Sequence, residues 1–94
     1  VRIVNTYPLA PGHMALSLRK GAQLLRVTAP AGHFGCVLTV LEDEAAPRVV
    51  REFDVIGSHM IVPDGAVYVG SFEFESCYNY GLATRHVFDL GERA

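Results

Sequence analysis

The chain has 94 residues, half of them hydrophobic, with a mean hydropathy of +0.24 and a formal charge of −2. This length predicts one domain, residues 1–94, with a thin core, and the apolar content excludes disorder as the main state. The eight basic residues form no run, and Arg19-Lys20 is their only adjacent pair, so a generic grip on nucleic-acid phosphates is not expected.

Val1 to Tyr7 alternates loosely and reads as a first strand stopped by Pro8, with Pro8 to Gly12 as a turn. His13 to Leu18 alternates cleanly, placing Met14, Leu16 and Leu18 on one face of a half-buried strand. Arg19 to Ala22 breaks the pattern at a glycine. Gln23 to Ala29 resumes it, with Leu25 and Val27 inward and Arg26 and Thr28 outward. The two strands read as a hairpin, and Pro30 to His33 as a further turn.

Phe34 to Leu41 and Val49 to Ile56 are rich in β-branched and aromatic residues and are read as a second hairpin, joined by the polar connector Glu42 to Arg48. Phe34, Cys36, Leu38 and Val40 share one face. Val37 and Leu41 make the other face partly apolar, which predicts a strand interior to its sheet. On the return strand Val49, Phe53 and Val55 face one way, Glu52 and Asp54 the other. The acidic run Glu42-Asp43-Glu44 reads as a solvated loop tip or, functionally, as a docking surface for a basic partner.

Pro63-Asp64-Gly65 is a turn signal. Val67 to Phe74 is a strand with Tyr68, Gly70, Phe72 and Phe74 on one face, and Gly70 predicts a bulge or a close backbone approach. Glu75 to Gly81 is an aromatic loop, Leu82 to Leu90 a closing strand, and 91–94 a tail. Seven strands without a helical period predict an all-β fold: a small antiparallel sandwich or partly open barrel.

Two cysteines do not make a disulfide framework, and Cys36 reads as a buried hydrophobe. No stretch has the length of a membrane span or the core of a signal peptide, so a soluble cytoplasmic protein is expected. A small domain this apolar can hide surplus surface in a homo-oligomer.

No nucleophile elbow, phosphate-binding loop or metal motif is present, so no catalytic residue, metal or cofactor is assigned. His13 and His33 read as surface residues. His59 follows Gly57-Ser58 in an irregular loop of the kind that carries function. His86 shares a face with Phe88 and Leu90 and reads either as a satisfied core histidine or as a ligand-binding or acid–base partner of His59. Arg51, on the face of Phe53 and Val55, and Arg85, on that of Val87, read as rim residues or as partners of a carboxylate or an anionic ligand. Tyr78 and Tyr80 can stack on a ring, supply contact area to a protein partner, or fold back over the core.

The segments Tyr7-Pro8-Leu9, Gly21-Ala22-Gln23-Leu24-Leu25-Arg26-Val27, Gly57-Ser58-His59, Tyr68-Val69-Gly70-Ser71 and Arg85-His86-Val87-Phe88-Asp89 resemble, in order and spacing, a family of small phage-encoded proteins of unknown function. The likeness runs from Tyr7 to Asp89. The chain departs from the family pattern where the histidine loop lacks one glycine, Arg85 replaces a tryptophan, and Val37-Leu38 stands for Leu-Trp.

The resemblance implies a phage origin and a compact β domain, and no reaction. The expected function is that of a non-enzymatic binding protein in the infected host. It would act in counter-defence or host takeover, by sequestering a small anionic, nucleotide-like ligand or by blocking a host defence protein. The alternatives are a virion or assembly accessory protein and a small hydrolase using His59 and His86.

Overall fold

A computed structural model describes residues 1–29, 35–76 and 81–93. Seven strands are present: β1 (Arg2–Leu9), β2 (Gly12–Arg19), β3 (Gln23–Thr28), β4 (Cys36–Asp43), β5 (Arg48–Ile56), β6 (Val67–Ser76) and β7 (Gly81–Glu92). They form two antiparallel sheets, one ordered β1-β4-β3 and the other β2-β5-β7-β6. The described residues contain no helix, hence none long and apolar enough to cross a membrane. The all-β reading holds, and the seven strands fall where alternation puts them, with ends shifted by a few residues.

The inner faces meet in one core. Leu9, Leu18, Cys36, Leu38, Val40, Phe53, Val55, Phe72 and Val87 are buried together, with Tyr7, Met14, Leu16, Leu24, Val27, Val69 and Phe74 packed around them. Each fully buried aliphatic or aromatic side chain contributes about 1.5–3 kcal/mol relative to exposure. Burial of Cys36 pushes its thiol up to about 11, so it stays protonated as a small apolar filler.

The predicted hairpins are where the fold differs. β4 and β5 are not paired: β4 lies between β1 and β3, and β5 between β2 and β7. Nor do β2 and β3 pair, since they belong to opposite sheets. Both connections are arches that carry the chain from one sheet to the other. Alternation says which side of a strand is buried, and that side is the same whether the next strand lies alongside or opposite. The two arches lock together: the Lys20 N–H donates to the Pro47 carbonyl at 2.8 Å and the Arg19 guanidinium to the Ala46 carbonyl at 3.0 Å.

Three further readings need correction. Pro8 does not end β1, which runs to Leu9; β1 is an edge strand, where the missing donor costs no ladder bond. A register shift between Leu24 and Arg26 inserts Leu25 as an extra residue, so Leu24 packs on the core and Leu25 is exposed. A second shift, between Tyr68 and Gly70, turns Tyr68 outward although Phe72 and Phe74 face in. Gly70 is thus a bulge, and what crowds it is a side chain, not another backbone: a Cβ there would sit 3.2 Å from Val27 Cγ2.

Gly35 is tighter still. A Cβ at this position would lie 2.3 Å from the carbonyl oxygen of Leu9, a backbone atom that cannot swing away. Gly35→Ala is therefore expected to cost about 3 kcal/mol or more, while Gly57→Ala, with open space around its added carbon, serves as the control. Urea midpoints of the two variants check this, and equal midpoints would refute it.

Candidate functional site

The six residues singled out from the sequence do not form one constellation. Tyr78 and Tyr80 lie outside the described residues, as do His33 and Cys77. Arg85 and His86 are neighbours on β7, so the pleat sends them to opposite faces. Arg85 turns toward the inner side, its guanidinium 4.3 Å above the centroid of the Phe74 ring. His86 is on the outer side of the sheet, half-buried; it is not a core histidine.

Arg51 has a carboxylate partner. Its Nε and Nη2 grip Asp89, the closest approach being 2.6 Å, and its Nη1 donates to the Ala22 carbonyl at 2.8 Å. Both side chains are largely buried, and Asp89 also accepts the Gly91 N–H. Arg51 pairs with Glu92 on β7, seven residues from Arg85, roughly 23 Å of strand. Each arginine is held by its own partner, so an external anion at Arg51 would have to displace Asp89.

His59 is exposed in the connection after β5 and carries a positive φ of 66°. Histidine tolerates the left-handed region better than most side chains. No hydrogen bond joins His59 to His86 among the described residues, and none of these residues form a group of three or more potential metal ligands.

What His86 does touch is Ser71. Its Nδ1 is 2.6 Å from Ser71 Oγ, which is itself 2.6 Å from the Tyr68 hydroxyl. Ser71 and His86 are direct cross-strand partners, and the bulge at Gly70 brings Tyr68 to the same side as Ser71. Without that extra residue, positions 68 and 71 would lie on opposite faces. Tyr68 also meets Phe88 edge to face, at 5.8 Å between centroids.

The chain between β5 and β6, which leads into Tyr68, exposes a run of large apolar side chains. Met60, Ile61 and Val62 are followed, after the turn closed by the Ala66 N–H to the Pro63 carbonyl, by Val67 and Tyr68. Ile61 is 90% exposed and Tyr68 58%. Lone exposed hydrophobes are ordinary, whereas a run that leads into an aromatic pair is a candidate contact surface.

The sequence reading also missed a buried carboxylate. Glu42 is 1% exposed and belongs to β4, not to a loop tip. Its Oε1 accepts from the Asn5 amide at 2.8 Å and the Tyr7 hydroxyl at 2.6 Å, and its Oε2 from the Arg19 N–H at 2.7 Å. Burial pushes its carboxyl up. The Arg19, Tyr7 and Asn5 donors and the nearby Arg48 charge outweigh that and hold it below its ordinary value. The signal was present: two more steps along the Cys36, Leu38, Val40 face arrive at Glu42.

The chain is thus a small all-β protein of two antiparallel sheets with a bare aliphatic and aromatic rim. Compared with known protein families, with curated proteins and with solved structures, it matches none.

Proposed function

We propose that this is a non-enzymatic binding protein that acts by covering part of the surface of another protein. In the phage setting that the sequence resemblance implies, the partner is a host defence protein. The observation that supports this reading is the exposed run Met60, Ile61, Val62, Val67 and Tyr68. Tyrosine flanked by aliphatic side chains is the composition of interface centres, where water is excluded around a few anchors. The engagement of Arg51 by Asp89 favours a protein partner over a small anionic ligand, because that guanidinium is already neutralised.

The Ser71–His86 hydrogen bond is the one feature that favours a hydrolase, since a hydroxyl beside an imidazole is the start of a nucleophile–base pair. One set of preparations tests both readings: wild type, Ile61→Glu, Tyr68→Ala and Ser71→Ala. The binding reading expects a host protein from infected-cell extract to be retained by wild type and Ser71→Ala and lost with Ile61→Glu and Tyr68→Ala. Ester hydrolysis by wild type that Ser71→Ala abolishes would overturn it, as would tight binding of a cyclic nucleotide by wild type and Ile61→Glu alike.

A further inference from the structure

Strand β4 is built for cover on both sides. Cys36, Leu38, Val40 and Glu42 point into the core, while Val37, Thr39 and Leu41 point away from it and are uncharged. Near-continuous apolar runs of this kind belong to strands buried on both faces. Yet no described strand lies over the outer side of the β1-β4-β3 sheet.

That outer side is uniform. Val4, Thr6 and Pro8 of β1 lie opposite Leu41, Thr39 and Val37 of β4, and Gln23, Arg26 and Thr28 of β3 flank the same three residues. Arg2 and Asp43 sit at one end of this face, and Arg26 lies on the edge strand β3 opposite Thr39. Val4 is 60% exposed. The chain as a whole exposes 5986 Å², whereas a compact monomer of 10.2 kDa exposes about 5,300 Å². The surplus is a property of the whole chain, shared between this face and the Met60–Tyr68 run, and it approaches the roughly 800 Å² that each partner loses in a standard interface.

We infer that a second copy of this chain docks here, with two three-stranded sheets packed outer side to outer side about a twofold axis. An isologous contact sets each patch against itself, so a charge at the outer side of the middle strand would meet its own copy; the outward residues of β4 from Val37 to Leu41 carry none. Sheets whose facing side chains are valine, threonine and leucine stack about 10 Å apart with interleaved side chains. The Met60–Tyr68 run is on the β5–β6 side and is left free for a different partner.

Sedimentation equilibrium across the micromolar range tests this. Wild type is expected to show the mass of a dimer. Thr39→Arg, which places two like charges face to face at the centre, is expected to raise the dimer Kd by about tenfold or more while keeping the β-sheet circular dichroism. Val4→Lys, on an edge strand and already exposed, makes the same test where the monomer has no packing to lose, so it decides the matter should Thr39→Arg not fold. A wild-type protein that is monomeric throughout, or folded Thr39→Arg and Val4→Lys variants as dimeric as wild type, would overturn the inference.

Discussion

Replacing Glu42 with alanine is expected to lower the free energy of unfolding by about 3–5 kcal/mol, because it strands three donors around a position that is only 1% exposed. For a chain of this size such a loss moves the thermal midpoint by well over 10 °C, at about 4–8 °C per kcal/mol. Glu42→Gln is expected to fall between alanine and wild type. A neutral amide has only one oxygen for the two sets of donors, so either the Arg19 N–H or the Asn5 amide faces a second donor. Glu42 also ties the two sheets, since Asn5 and Tyr7 belong to the first and Arg19 to the second.

The same residue fixes a pH limb. The Glu42 carboxyl lies below its ordinary value when folded. Its contribution is therefore complete above the unfolded carboxyl value and drains away as pH falls through the lower, folded one. Tyr7 has the opposite sign: burial, then its bond to Glu42, raise it. Its share is complete below about pH 10, the free phenol's value, and is lost as pH rises through the raised one. Urea midpoints measured against pH check both. Glu42→Gln should flatten the acid limb, and an unchanged limb would show that Glu42 does not carry it.

Asp89→Ala is the second large effect, again about 3–5 kcal/mol, since it leaves the Arg51 guanidinium buried with only the Ala22 carbonyl as a close partner. The double variant Arg51→Met/Asp89→Leu separates two meanings of that loss. Burying both charges costs desolvation that a well-packed apolar pair does not incur. The double variant is expected to match wild type or exceed its stability by about 1–4 kcal/mol. A double variant as weak as Asp89→Ala would mean that the pair holds the register of β5 against β7, where the ladder shifts beside Phe53.

Strand positions and buried faces were legible because a pleat with one covered side writes a period of two into the chain. Leu38, Val40, Phe53 and Val55 were readable on that ground alone. Pairing was not, because β4 shows the same inward residues whether β5 lies beside it or across the core from it. Bulges were half legible: Gly70 announced one, while Leu25 occupies its extra place with a side chain that looks like core. The candidate site suffered most. Its Tyr68–Ser71–His86 chain depends on the flip at Gly70, and Arg51 and Glu42 have their partners in distant strands, Asp89 in β7 and Asn5 and Tyr7 in β1.

The arches also set the order in which the molecule can assemble. Asn5 waits for Val40, and β2 waits for β5, whose other side waits for β7. While the chain emerges from the ribosome, β1, β2 and β3 therefore wait for β4 and β5, and the second sheet closes only with β7. Folding dominated by such distant pairings runs in milliseconds to seconds. The nascent β1 and β2 ribbons spend that interval bare.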